Sequence, residues 1–574
     1  MPESVSKSGP NSESGSCLAA LMLLMAMACL TAPAQTSQAT GRPATSGYRI
    51  AGIVVNAATE EPVRHATVAA LIEQDSHTVA SVESGEDGRF SLDGLPAAKY
   101  QLTASKRGFR TAAYDEHEAY ASAIVTGPGQ ETEDLRFRIM PGSTLRGVVT
   151  TEGGEPVENA TVMLFLKPRA HRMNDRITQA DTGTTDDTGT YEFNGLAEGE
   201  YLLAVKADPW YATHTSLRRG GFSLRQGGSS IDSVSEIRSA LDVAYPVTFY
   251  DETTDETSAT SITLARGSRE EANVTMHAVP ALHLSVDTAR RPDGGSGRAE
   301  LRQSIFGVQI PSGINGGFAD GVQGEIAQFD GLAPGHYELV QGDPPRIAEL
   351  DATTSQQVDS QLGTPTVTVT GTLRNGAGAL LCGDKTLTNL TIENIGGATH
   401  QNAIGTICNH GEFSFPGVAP GNWRLLVQSQ SGALQVASVA LGNRAHGGNE
   451  FTVGDRPLAL TVTVSESATQ IVGFARKDGK GKAGVMVVLV PEDLAAISGL
   501  ARLDQSDSDG SFSLRNVVPG HYTLVAIEDG WEVDWFRPEV IARYLPGGIS
   551  VTVTSSSGKL LTLPAPVPVE SRLP

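Results

Sequence analysis

The chain has 574 residues, with 63 Gly, 30 Pro, 39% hydrophobic and 19% charged residues; 43 Lys and Arg face 65 Asp and Glu, a formal net charge of −22. That length excludes a single domain and suits roughly four to six domains of about 100 residues each. An acidic surface without a dense basic stretch excludes nucleic acid as a partner, and abundant Gly and Pro among Val and Thr runs favour β-structure with frequent turns over helical bundles.

The first predicted element is an export signal. Lys7 lies in a polar leader, Leu18 to Leu30 is an apolar run, and Ala32-Pro33-Ala34 places small residues before a cut at Gln35. This is the layout of a signal peptide over residues 1–34, and its apolar run is too short to span a bilayer. A competing reading takes Met25-Ala26-Met27-Ala28-Cys29 as a lipoprotein cleavage box that leaves Cys29 lipidated, with Ala26 where Leu is usual. Both readings place the mature chain outside the cytoplasm, in the periplasm, at the cell surface or secreted. Processing leaves Cys382 and Cys408, 26 residues apart, which read as one disulfide in an exported chain. On the chain-entropy account it stabilises its domain by roughly 3 kcal/mol. No later apolar run reaches membrane length, so no transmembrane helix is expected in the mature chain.

A repeat organises the rest. Asp87-Gly88-Arg89-Phe90-Ser91-Leu92-Asp93-Gly94-Leu95, followed by Tyr100 and Leu102, recurs around Gly189-Thr190-Tyr191, Gly411-Glu412-Phe413 and Gly510-Ser511-Phe512. A fifth copy, Phe329-Asp330-Gly331-Leu332 to Tyr337, keeps only the second half, with Ala327 where the others have an aromatic. Gly88 and its equivalents turn the chain into a strand whose Phe90 and Leu92 share a buried face. The Gly94-Leu95 step is expected to begin a second tight turn. The resulting one-sided hairpin needs an opposing sheet. An opening motif supplies partners: Ile50-Ala51-Gly52 to Pro62-Val63, Leu145-Arg146-Gly147 to Pro156-Val157, Val369-Thr370-Gly371, and Ile471-Val472-Gly473.

The resulting map has domains at 47–141, 142–280, 281–365, 366–465 and 466–564, the third degenerate. An insertion at 208–243 lengthens the second, beginning as a loop, with a short helical pattern from Ile231 to Leu241. Residues 565–574 read as a disordered tail. The expected fold class is all-β, a tandem array of about five small β-sandwiches after a signal peptide.

These paired motifs resemble carboxypeptidase regulatory-like domains, the transthyretin-like sandwiches related to Cna protein B-type and starch-binding-like folds. The resemblance implies a small, non-catalytic, prealbumin-like Greek-key sandwich of seven to eight strands that binds carbohydrate or protein. Multi-repeat bacterial secreted members also resemble the stretches Tyr245 to Ile262 and Asp529 to Tyr544.

Catalysis finds no support in the motifs. None of the 12 His residues has Glu three places on, as a zinc carboxypeptidase requires. A nucleophile elbow and a phosphate-binding loop are absent too, so no enzyme, cofactor or metal is expected. His336 and His521 read as turn-edge residues, and His400 and His410 flank Cys408. The acidic turns at Asp186-Asp187 and at Asp504, Asp507 and Asp509 read as solvated turns rather than calcium loops. Lys477 makes a poor isopeptide candidate at a strand end.

Aromatics that the core motif leaves unexplained are the ligand-binding candidates. Trp531 and Trp535 crowd beside Asp534 and Arg537, and Trp210 with Tyr211 stands at the mouth of the insertion. An indole face offers a platform to sugar C–H groups while neighbouring charges bond hydroxyls. The alternative is that Trp531 and Phe536 cover a sandwich end; Trp423, in the repeat's Tyr position, reads as core. The expected function is glycan binding at the cell envelope, with polysaccharide or an envelope protein as partner. The alternative is a structural or adhesion spacer, or a regulatory module, that binds proteins.

Overall fold

In the computed structural model, residues 47–573 are described except 73–76, 169–176, 213–239, 289–298, 321–324, 343–344, 360, 382–387, 397–402, 409, 430–433, 443, 466–468 and 555–559. The expected signal peptide, Cys29, Cys382, His400 and nearly all of the helical pattern in the insertion lie outside the described residues.

The described residues build five β-sandwiches on one strand plan, in tandem, as the periodicity predicts. Each begins with an opening strand: Tyr48–Asn56, Ser143–Thr151, Leu282–Thr288, Val367–Asn375 and Thr469–Lys477. On one side this strand pairs antiparallel with the motif strand, Arg89–Leu95 in sandwich one and Ser511–Val517 in sandwich five. On its other side runs a parallel closing strand, such as Leu135–Ile139 or Leu458–Ser465. The facing sheet centres on a hairpin partner such as Thr67–Ile72, which pairs with Thr78–Glu83 and with Lys99–Ser105.

The two strands of the repeat motif therefore belong to opposite sheets, not to one hairpin as the sequence suggested. Pro96 to Ala98 carry the chain across the sandwich, so that Phe90 and Leu92 meet Tyr100 and Leu102 inside one core. Gly94 does not start that turn. It sits in a bulge inside the strand, with φ +76°, where Tyr48 opposes Leu95 and Ile50 opposes Leu92. The same slip recurs at Gly195, Gly331, Gly417 and Asn516. A bulge of this kind needs a residue that tolerates positive φ, which Gly or Asn supplies.

The aromatic that follows is locked by a second recurring contact. Tyr100, Tyr201, Tyr337 and Tyr522 each donate their hydroxyl to the carbonyl four residues earlier, and Trp423 donates its indole N–H in the same way. A large ring can then be buried without an unsatisfied polar atom, and Trp423 is fully buried as expected. A third device is a buried hydroxyl: Ser84, Thr185 and Ser506 accept the amides of Ala66, Ala160 and Val485 and donate to the carbonyls of Val63, Val157 and Lys482. It ties the opening motif to the acidic turn.

Sandwich five extends beyond its expected end. Residues Val567–Ser571, expected as tail, form a strand parallel to both Thr469–Lys477 and Gly520–Glu528, with Val567 fully buried between them. Pro566 and Pro568 disguise this strand, because proline lacks a ladder donor.

The sandwiches meet at successive junctions. Gly142 donates to the Gly108 carbonyl between one and two, and Thr366 to that of Pro345 between three and four. Two and three share an apolar cluster in which Phe306 packs edge-on against Phe165 and Phe249, at 5.0 and 5.2 Å. Between four and five, Ser498 donates to Glu450 at 2.8 Å and Arg502 to Gln435 at 3.3 Å. No helix among the described residues is long and apolar enough to cross a membrane.

Candidate functional site

The aromatic segment after sandwich five's last motif strand is shaped by tight turns. Asp529 adopts φ +55° and leads into a 3-10 turn, Gly530–Glu532. Gly530 is buried, and a Cβ there would sit 2.7 Å from the Met486 side chain. This close approach aims Trp531 at sandwich one. Its ring stacks on His117 at 5.4 Å with an interplanar angle of 7°, lies 5.5 Å from Tyr120, and donates its N–H to the Gly484 carbonyl at 3.3 Å. Trp535 is half-buried against a second core of sandwich five that includes Val488, Val533 and Ile541, and meets Phe536 edge-on at 6.3 Å. Asp534 and Arg537 pair with each other at 3.7 Å. The two tryptophans thus pack against protein, one of them against another sandwich, and do not form an open platform.

Around Trp531 runs a polar seam that the sequence did not reveal. Asp507 is the residue at its centre: one carboxylate oxygen accepts the Ala123 amide at 2.9 Å and the other accepts Lys99 Nζ at 2.5 Å. Ser508 donates its amide to the Ala123 carbonyl at 2.9 Å and accepts the Val125 amide on its hydroxyl at 2.9 Å. Ser122 donates to the Ser506 carbonyl, and Gln505 donates to both the Asp115 carbonyl and the Ser122 hydroxyl. Gln505, Ser506, Asp507 and Ser122 are all at most 7% exposed, so these bonds satisfy groups that would otherwise be costly to bury. The acidic turn read as solvated is therefore an interdomain contact in sandwich five. The corresponding turn in sandwich two stays exposed, and there the hydroxyl and amide of Thr188 and the Thr190 amide hold the Asp186 carboxyl below the usual carboxylate range. The local signal for the seam is weak, since only the density of Ser, Gln and Asp from 504 to 509 sets it apart.

Trp210 is different. It is 83% exposed and touches Tyr211 edge-on at 5.7 Å. Burial, followed by the hydrogen bond with Tyr211, pushes the Tyr245 phenol well above its ordinary range, and that hydrogen bond ties Tyr211 to sandwich two. Next to the far end of the insertion, His283 bridges two carboxylates, with Nδ1 2.8 Å from Asp330 and Nε2 2.8 Å from Asp242. The bond with Asp330, against the opposing effect of burial and with help from Asp242, raises the imidazole to about 9. His336 and His521 are exposed near the starts of interior strands, beside Asp351 and Thr552.

A cleft of about 490 Å³ lies between sandwiches four and five, lined in part by Asn422, Asn449, Glu450, Asp493 and Phe451.

Comparison with known proteins adds the following. Residues 49–139 and 144–228 match the carboxypeptidase regulatory-like domain family. No curated protein matches the chain. Similar solved structures include the Bacillus anthracis TIE protein, 11% identical, covering 73% of this chain and 75% of that one with a TM-score of 0.16. The streptococcal ancillary pilin is 13% identical over 55% of this chain and 99% of its own, with a TM-score of 0.19. GBS52, the minor pilin of Streptococcus agalactiae, is 13% identical over 41% and 97%, also at 0.19. The two matches to the carboxypeptidase regulatory-like domain family fall on sandwiches one and two of the tandem β-sandwich array.

Proposed function

We propose that this chain is an exported, non-catalytic structural or adhesion array whose partners are proteins of the cell envelope. The observation that carries the reading is the use made of Trp531: the aromatic best placed by sequence to receive a ligand is stacked on His117 of another sandwich. The strand plan repeated from residue 48 to 571 supports it too, since it turns the chain into core and junction. The reading includes export by the segment 1–34, with Cys29 as a lipid anchor in the lipoprotein variant. It keeps the domain limits 47–141, 142–280, 281–365 and 366–465, and moves the end of the fifth domain from 564 to 571. It also includes a Cys382–Cys408 disulfide, for which the bonded state of Cys408 speaks.

Glycan binding is the second reading, and its support is Trp210, an exposed indole held beside Tyr211. Polysaccharide affinity chromatography and an envelope-fraction pull-down on the mature chain separate the two. The array reading expects retention of envelope proteins and no polysaccharide retardation. Polysaccharide retention that is lost on Trp210→Ala would replace it with the glycan reading.

A further inference from the structure

The junction between sandwiches one and five is unlike the others, because it joins the two ends of the array. Its partners stand far apart in sequence, as with Ser122 and Ser506 or Lys99 and Asp507. The described residues contain no apolar cluster that draws on both sandwiches: the core of one and the two cores of five are separate. Sandwiches two and three, by contrast, share Phe165, Phe249, Ile305 and Phe306 in one cluster. Among the described residues, the contacts of one with five include directional hydrogen bonds, the Lys99–Asp507 ion pair, and the rings of His117 and Tyr120 against Trp531.

We propose that this seam is a releasable clasp: the array has a closed form, held by the contact of sandwich one with sandwich five, and an extended form in which that contact alone is broken and Trp531, His117 and Tyr120 are uncovered together. Each bond in the seam exchanges for a bond to water on opening, so its net contribution is a small part of its gross strength. Closure is intramolecular, which gives a small polar interface a high effective concentration that separate domains would lack. Small polar contacts between domains of one chain are also those that allow relative motion. Opening leaves every core cluster whole, since none spans the seam. The elements that would part are short: the sandwich-one side is the segment from Asp115 to Val125, with left-handed Asp115 and Glu118, together with Lys99, and the sandwich-five side is the turn at 505–508 with Trp531. The extended form differs from the closed one in length and in presenting an aromatic face that the closed form hides. This inference does not depend on whether the partners are proteins or glycans.

Small-angle scattering and tryptophan emission of the full mature chain test it. Two pairs of substitutions attack the seam from opposite sides, Gln505→Ala with Asp507→Ala and Lys99→Met with Ser122→Ala. A third pair, Ala123→Cys with Ser508→Cys, locks it when oxidised. Both seam-breaking pairs are expected to enlarge the radius of gyration and to shift emission to the red, with an unchanged far-ultraviolet spectrum. The oxidised lock is expected to keep the compact radius and to regain the open one on adding reductant only in the presence of a seam-breaking pair. An unchanged radius in both seam-breaking pairs overturns the clasp. So does an unmodified chain that is already extended and that the lock compacts, because the closed form is then not populated.

Discussion

His283 shows how one side chain can tie an insertion to a core. Its two ring nitrogens reach Asp330, in the bulge of sandwich three, and Asp242, where the insertion returns. The proton is held mainly by Asp330, and the folded imidazole stays charged to about 9, above its ordinary 6.5. A raised value means the charged form is favoured by folding, so its stabilisation is complete below pH 6.5 and is lost as pH climbs toward 9. Thermal melting of sandwich three followed from pH 6 to 10 is therefore expected to decline across that window. His283→Gln should flatten the decline while lowering stability at pH 6. A melting profile with the same slope in both proteins would show that the bridge contributes nothing.

At the scale of strands, two glycines of one sandwich make a sharp contrast. Gly147 lies in the centre of its sheet, where a Cβ would fall 1.9 Å from the Ala272 carbonyl and 2.7 Å from the Tyr191 hydroxyl. Gly195 sits in the bulge with φ +72° and open space around it. Gly195→Ala is expected to cost about 1 kcal/mol, the price of a left-handed backbone with a side chain. Gly147→Ala must displace the closing strand and is expected to cost more than about 3 kcal/mol, measured by urea unfolding of sandwich two. The first glycine's role was partly legible, because the opening motif repeats it at 52, 371 and 473. The second was misread, since a bulge and a turn both call for positive φ and differ only in what the neighbouring strand does. The split of the motif between two sheets was hidden for the same reason: alternation tells which residues face a core, not which sheet brings them there. Ile50, Phe90, Leu92 and Tyr100 all proved to be buried core, whereas the seam residues Gln505 and Ser506 looked like any polar turn.

Across the whole molecule, junctions differ in kind. Sandwiches two and three are joined by a shared apolar cluster, and Phe306 stands in its middle at 8% exposure. Phe306→Ala is expected to cost about 3–5 kcal/mol, and differential scanning calorimetry should show the transitions of both sandwiches moving down together. Movement of only one would mean that the cluster belongs to a single folding unit. The polar seam of one with five should couple no such transitions, because it contributes little to either core. Trp531 was legible as an outlier from the repeat but not as a junction residue. Its partner His117 is more than 400 residues away in the chain, and nothing local in either segment names the other.

The parallel pairing of the opening and closing strands has a mechanical meaning. In sandwich four, Val367–Asn375 and Leu458–Ser465 run side by side in the same direction over seven matched positions. A pull on the two ends of such a unit drags these strands past one another lengthwise, so the ladder bonds between them bear the load jointly instead of parting one by one like a zipper. A chain with that geometry in each of its units is suited to bearing tension along its length.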